Sequence, residues 1–445
     1  MSTAKNYHEI RDPIHIFVHL DSHELKVLNS RPFQRLRYIH QLALTYLVYP
    51  GASHKRFEHS LGVMELAGRV FDVLTQDDAI DGEVRKLIPE ISQPSFKQYW
   101  RRVLRMAALC HDLGHLPFSH GAEKDLLPDG WNHEQITKEI ILSNEMEEIW
   151  GNMTPPLRAE DVVKLAVGPK ENKDLKFSDW EAILSEIIVG DAFGVDRIDY
   201  LLRDSHHTGV GYGKFDHYRL IDTLRILHSS PEEGNHESSE PVLGIQEGGI
   251  HSAEALLLAR YFMYSQVYFH PVRRIYDIHL KDFLGSWLPG GKFSTKIEKH
   301  LRMTDNDVIA AMLDAARNDK KSGHEHAKRI VRREHFRILY QRSPEDVKIN
   351  PEAGHAVYEA AKNRFGESDV RYDKYIQRGS AHNFPVLIRS EKVVSSIALS
   401  ETLNKLPLVA VEYVFISPDK REDAEKWLKS NLNEIIQPKM EEAGS

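Results

Sequence analysis

The chain reads as mainly α: a helical bundle with a short N-terminal β arm and a small C-terminal α/β appendage. Three observations predict this. Across most of residues 1–330 the apolar side chains recur at three- and four-residue spacing, the period of an amphipathic helix. Ahead of them Ile14, Ile16, Val18 and Leu20 alternate strictly, with His15, Phe17 and His19 on the other face, the period of a strand. From about residue 345 the pattern changes to mixed strands and helices, so residues 331–445 are set apart as a packing or assembly region.

In order, the arm is followed by Leu25, Leu28, Phe33, Leu36, Ile39 and Leu42, which predict a helix capped by Asn29 or Ser30 with Pro32 in its first turn. It leaves Arg31, Gln34, Arg35, Arg37 and His40 for its other faces. Pro50 and Gly51 then open a turn, and a helix starts near Glu58 with Val63, Leu66, Ala67, Val70 and Phe71 as its buried stripe. Residues 76–100 are polar and interrupted. The apolar run Val103 to Leu109 predicts a buried helix leading into Cys110 to His120, CHDLGHLPFSH.

His133 and Glu134 open the next helix, and Leu157 to Leu165 and Trp180 to Val189 predict two more. On the helix beginning near Asp196, the residues Asp196, Tyr200, Arg203, Asp204 and His207 share one face and form a stripe of polar groups. The insert Ser229 to Glu240 contains no apolar residue and predicts a mobile loop between strands at Leu224 to His228 and Val242 to Gln246. A long helix runs from Ser252 to Tyr276, and Asn318 to Arg329 reads as a solvated connector. The appendage carries strands at Phe384 to Ile388, Val393 to Leu399 and Val409 to Ile416. A helix over Pro418 to Ile435, capped by Ser417, and a frayed tail close it.

Composition limits the function. The 58 basic and 66 acidic residues leave a net charge of −8, which disfavours nucleic acid and anionic membranes as partners of the whole surface. One cysteine excludes an internal disulfide framework and fits a reducing cytosol. There is no apolar leader and no run long enough to span a membrane, so a cytoplasmic protein is expected.

The adjacent pair His111 and Asp112, at the end of a buried helix, can grip a metal ion through imidazole nitrogen and carboxylate oxygen. That donor set suits Mn, Fe, Ni or Zn. His115 lies one turn further on. Taken with DPIH (Asp12 to His15), PFQRLRYIHQL (Pro32 to Leu42), PGASHKRFEHSLGV (Pro50 to Val63), NHE (Asn132 to Glu134) and DRIDYLLRDSHHTG (Asp196 to Gly209), the pair resembles the HD superfamily of metal-dependent phosphohydrolases. The resemblance is closer still to its deoxynucleoside triphosphate triphosphohydrolase branch, the one containing the sterile-alpha-motif and HD-domain enzymes. It covers roughly the first half of the chain.

The resemblance implies an HD-type domain over 1–330 and metal ligands His59, His111, Asp112 and Asp196, with Mg added to the possible ions. It implies phosphate contacts at Arg56 and Arg197, and sugar contacts at Gln41, Tyr200, Asp204 and Tyr276. Gln34 and Arg37 match a regulatory nucleotide site at a subunit interface. That site's guanine-reading Asp is replaced here by Asn29, which loses the charge-assisted bond. A homo-oligomer, dimer or tetramer, is implied as well.

The chemistry follows from the residue types. A bound metal acidifies water and polarises a phosphoryl oxygen, and four ligands leave positions open for both. His115 and His133, with Asp196, are the catalytic candidates, the histidines for a proton to the leaving alkoxide. The predicted reaction is hydrolysis of a deoxynucleoside triphosphate (dNTP) to deoxynucleoside and tripolyphosphate. An HD-type exonuclease or phosphodiesterase on single-stranded nucleic acid or other nucleotides is the alternative enzyme. A nucleotide-binding regulator is the non-catalytic one.

Overall fold

The computed structural model describes residues 7–77, 79–80, 82–118, 123–228, 241–377 and 383–438. The insert Ser229 to Glu240, the tail Met440 to Ser445, and Ser119 with His120 lie outside the described residues. The chain forms two compact units. The first is Met1–Met263 with Phe293–Asp307 and Ser380–Leu406; the second is Tyr264–Lys292 with Val308–Gly379 and Pro407–Ser445.

The first unit is a helical bundle fronted by an antiparallel hairpin, His8–Asp12 with Ile16–Leu20. The turn departs from the expected alternation. Ile16 adopts a positive φ of 68° and is exposed, while His15 is buried. One left-handed residue moves the side chains before it to the other face, and Asp12 Oδ1 holds the turn by accepting from Ile14 N and His15 N, both at 2.8 Å.

The predicted helix over Leu25 to Leu42 is broken up. It becomes Glu24–Leu28, Arg31–Arg35, and a 3₁₀ turn Leu36–Tyr38; Ser30 precedes the second piece but donates its hydroxyl back to Val27 O instead of capping it. Ile39 is then extended, and His40 forms an isolated antiparallel bridge with Lys55. Propensity did not carry the helix past Tyr38, because the backbone found partners across the loop: Arg56 N donates to Ile39 O and Gln41 N to His54 O, both at 3.0 Å.

Arg56–Leu74 is the central helix; Glu58 caps it from within by accepting from Lys55 N at 2.8 Å. Pro94–Cys110 packs against it, with Pro94 in its first turn and an unbroken buried run Val103 to Cys110. Ala159–Val167, Asp179–Val189 and Val195–Thr208 complete the bundle around these two helices. Leu224–His228 and Pro241–Gln246 pair as expected. Pro385–Leu387 and Val393–Ser395 join the same sheet, so the strands expected in one C-terminal appendage divide between two sheets.

In the second unit a three-stranded antiparallel sheet, Arg337–Gln341, Ala410–Ile416 and Val370–Ile376 in that order, packs helices Ala353–Phe365 and Arg421–Ile435. Ser417 precedes a 3₁₀ turn, Pro418–Lys420, ahead of the last helix, and its hydroxyl makes no capping bond. The helix expected over Ser252 to Tyr276 is not continuous. Ile250–Met263 is followed by a π turn Tyr264–Tyr268, and a new helix starts at Pro271, whose missing N–H cannot join the preceding ladder. The expected connector turns helical at His324–Val331, where Gly323 supplies a left-handed start.

Candidate metal centre

Three chain segments deliver the site. His59 sits in the first turn of Arg56–Leu74, His111 at the C-cap of Pro94–Cys110, and Asp196 in the first turn of Val195–Thr208. Their ligand atoms lie within 4.8 Å of one another. His59 Nε2 is 3.0 Å from Asp196 Oδ1, and His111 Nε2 is 3.6 Å from the same oxygen. His111 Nδ1 donates to Ala108 O at 2.8 Å, which fixes the ring and leaves Nε2 buried with no hydrogen-bond partner. A buried lone pair aimed at a carboxylate and a second imidazole fits a divalent cation.

Asp112 stands at the edge of this group. Its oxygens are 3.4 Å from His111 Nε2 and 3.8 Å from His59 Nε2, while Arg56 Nη1 donates to Oδ2 at 2.6 Å and His115 Nε2 to Oδ1 at 3.0 Å. Electrostatics favour positive charge at the centre. Burial alone would lower the His59 pKa, yet the Asp196 and Asp199 carboxylates push it up to about 10. Against burial, the neighbouring His111 and the hydrogen-bonded His59 hold Asp196 well below the usual carboxylate range. Against burial, Arg56, His111 and His115 do the same for Asp112.

The helix ends at Cys110, so His115 is not a turn further along it as the spacing suggested. It is carried on a short turn closed by Leu113 N to Cys110 O. Gly114 makes that turn possible: a Cβ there would lie 2.1 Å from His133 O and 2.4 Å from Thr137 N. Backbone thus meets backbone, and the His115 ring stacks on His133 with centroids 4.0 Å apart. Arg35, buried rather than on an outer helix face, donates to His115 O at 2.9 Å.

The two imidazoles are poised differently. Burial, Arg56 and His133 drive the His115 pKa well below its ordinary value, leaving a neutral ring. His133 is raised despite burial, because its Nδ1 meets both oxygens of Glu123 at 2.9 and 3.0 Å. It therefore keeps a proton more readily than His115.

Two turns beyond Asp196, about 12 Å along the helix, Asp204 is buried and accepts from His54 Nε2 at 2.7 Å, with His207 stacked on His54 at 4.3 Å. The Gln41–His54 backbone bond brings Gln41 beside this pair, and its buried Oε1 has no partner. The two residues expected to share a sugar hydroxyl are thus joined through His54. Tyr200 is half-buried one turn from Asp196. Arg197 donates to Gly190 O at 3.4 Å and lies 3.8 Å from Asp191.

Arg203 corrects the reading of this helix face. It is fully buried and ion-paired to Asp199 and Asp12 at 2.8 Å, so it belongs to the core and not to a substrate surface. Gln34 and Arg37 are bonded to each other at 2.9 Å, and the Arg37 guanidinium lies over Phe57 at 3.5 Å. Tyr276 is buried in the second unit, its ring 4.7 Å from that of His335.

His54, Asp199 and Glu123 were not singled out from the sequence, and His15 and Arg35 were given no part in the site. Asp199 had a legible signal: it is three residues from Asp196 and so near the same helix face. In the second unit His279, Asp282 and His326 also come within 4.8 Å. There, however, Phe336 N donates to His279 Nε2, which puts the ring proton on Nδ1, and Arg371 lies 3.6 Å from Asp282. That group suits a cation poorly.

The HD-domain model of that protein family matches residues 56–203, and the HD-associated region matches 215–368. This chain belongs to the HD superfamily. The HD-domain match spans His59, His111, Asp112 and Asp196. A solved structure of a hypothetical protein from Aquifex aeolicus is 33% identical, with a TM-score of 0.75, covering 95% of this chain and 100% of that one. The uncharacterised protein YwfO of Bacillus subtilis is 36% identical over 276 residues, 62% of this chain and 54% of that protein. The deoxynucleoside triphosphate triphosphohydrolase SAMHD1 of Homo sapiens is 31% identical over 371 residues, 75% of this chain and 55% of that protein. This HD protein therefore spans about half the length of the curated relatives it matches. Among the described residues no helix is long and apolar enough to cross a membrane.

The buried histidines set a pH dependence for the metal-free protein. His115 and His300 are held neutral by burial, and His207 is lowered to about 4 by burial and His54. In the unfolded chain each titrates near pH 6.5. Below that value the unfolded state takes up protons that the folded state refuses, so stability falls as pH falls. The raised groups His59, His111 and His133 oppose this only in part: their contribution is full below the unfolded value and declines as pH rises from there to their folded values, so between pH 7 and pH 5 each regains less than each lowered histidine loses. With chelator present, Tm should drop from pH 7 to pH 5. A flat or rising Tm over that range contradicts the assignment.

Proposed function

We propose that this HD protein hydrolyses deoxynucleoside triphosphates to deoxynucleoside and tripolyphosphate, with a divalent metal held by His59, His111, Asp112 and Asp196. The observation that carries the reading is the pair of stations on one helix. A metal-type donor group stands at Asp196, and a sugar-sized polar group, Asp204 with His54 and Gln41, stands about 12 Å further along. The span from an α-phosphate to a 3′-hydroxyl is shorter than this rise, and the side chains and contacts at each end take up the remainder.

A bound metal would supply an acidified water and a Lewis acid for the phosphoryl oxygens. In this reading Arg56 and Arg197 hold the phosphates, and His133, kept protonated by Glu123, gives its proton to the departing sugar oxygen. His115, neutral and bonded to Asp112, holds His133 by stacking. Asp204 and Gln41 bind the 3′-hydroxyl, and Tyr200 bounds the sugar. Gln34 and Arg37 belong to a regulatory nucleotide site in a homo-oligomer, and because Asn29 lacks the carboxylate the enzyme either needs no activator or responds to one other than a guanine nucleotide.

Asp204→Asn tests the sugar station while keeping an acceptor for His54. It should lower kcat/KM for a dNTP about 5- to 150-fold, the ratio for one unsatisfied buried polar group at about 1–3 kcal/mol. Hydrolysis of bis(p-nitrophenyl) phosphate, which has no sugar, should be unchanged. An equal loss on both substrates contradicts the reading.

A further inference from the structure

The geometry points to the N-terminal hairpin as part of the metal centre: His15, acting through Asp199, is a positioning residue for the ligand His59. This rests on the reading of His59, His111 and Asp196 as metal ligands.

His59 is held from both sides. Its Nε2 faces Asp196, and its Nδ1 lies 2.8 Å from Asp199 Oδ2. For Nε2 to offer its lone pair to a cation, the ring proton must sit on Nδ1. A carboxylate accepting there selects that tautomer and fixes the ring plane. Asp199 can do this only if it is itself held, because a fully buried carboxylate with unused oxygens is costly.

Its oxygens are shared out. Oδ2 also accepts from Arg203 Nε at 2.8 Å; Oδ1 accepts from Arg203 Nη2 at 3.0 Å and meets His15 Nε2 at 2.6 Å. Arg203 is anchored in turn by Asp12 Oδ2 at 2.8 Å, and the other Asp12 oxygen ties the turn that aims His15. Two of these four residues, Asp12 and His15, come from the hairpin, which places no residue in the metal group itself.

Two independent features show that this approach is built. Gly62, on the same helix as His59, leaves room for the carboxylate: a Cβ there would stand 1.9 Å from Asp199 Oδ1. Ile16 takes a positive φ with an exposed side chain, and its neighbour His15 is turned inward against the strand period.

The test measures metal affinity, not turnover. Apoprotein is prepared with chelator, and Mn²⁺ or Zn²⁺ binding is measured by competition alongside the metal-free Tm. His15→Phe, which fills the space but cannot donate, should bind metal about 10- to 100-fold more weakly, the usual cost of losing such a partner. His15→Gln, whose amide can reach Asp199, should restore most of the affinity. If His15→Phe does not fold, His15→Asn, whose amide falls short, carries the same expectation. Wild-type affinity in His15→Phe or His15→Asn overturns the inference, as does a lowered metal-free Tm with affinity unchanged. His111→Ala separates the two claims. If it keeps the metal, the ligand assignment fails; if it loses the metal while His15→Phe does not, only the hairpin's role fails.

Discussion

His111→Ala is expected to cut hydrolysis by about a thousandfold or more, since losing even one charge-stabilising donor at a reacting centre costs about 10²–10³. The side chain brings a buried Nε2 with no other bond to make, so its removal leaves the rest of the fold intact. Metal content should fall with activity, while the Tm in chelator stays near that of the wild type. Asp196→Ala should behave alike, its carboxylate being shared by both histidines. Activity retained by metal-free protein, or metal retained by the His111→Ala variant, would contradict the site.

Gly62→Ala carries the largest expected loss of stability. Its methyl would meet Asp199 Oδ1 at 1.9 Å and Arg203 Nη2 at 2.5 Å, and both groups are completely buried and pinned by each other. Alanine favours a helix over glycine by only about 1 kcal/mol. Displacing a buried ion pair costs about 3–5 kcal/mol, so the variant should be less stable by roughly 2–4 kcal/mol, the difference of those two figures. Gly285, also helical, has open space around its Cβ position and is the control: alanine there should leave the Tm unchanged or raise it. A Gly62→Ala protein as stable as the wild type in denaturant melts would show that Asp199 and Arg203 can move freely.

These two glycines show what a sequence conveys and what it does not. His59, His111 and Asp196 were legible because each lies at the end of an apolar periodic run and in a motif of fixed order. Their neighbours were not, because periodicity assumes a constant backbone. One left-handed residue, Ile16, was enough to turn His15 inward. Arg203 fell on the same helical face as Asp196 by spacing, yet its side chain turns to Asp199, one turn back on the same helix, and to Asp12 at the end of the first strand. The loop partners of Ile39 and Gln41 likewise ended a helix that propensity would have continued. In each case tertiary hydrogen bonds outweighed a local preference.

The central claim concerns which bond breaks. A dNTP incubated with the protein and Mn²⁺, with products resolved by ³¹P NMR, decides it. The site reading predicts free deoxynucleoside and intact tripolyphosphate from the first turnover. Nucleoside monophosphate with pyrophosphate, or an untouched dNTP alongside digested single-stranded DNA, would contradict it.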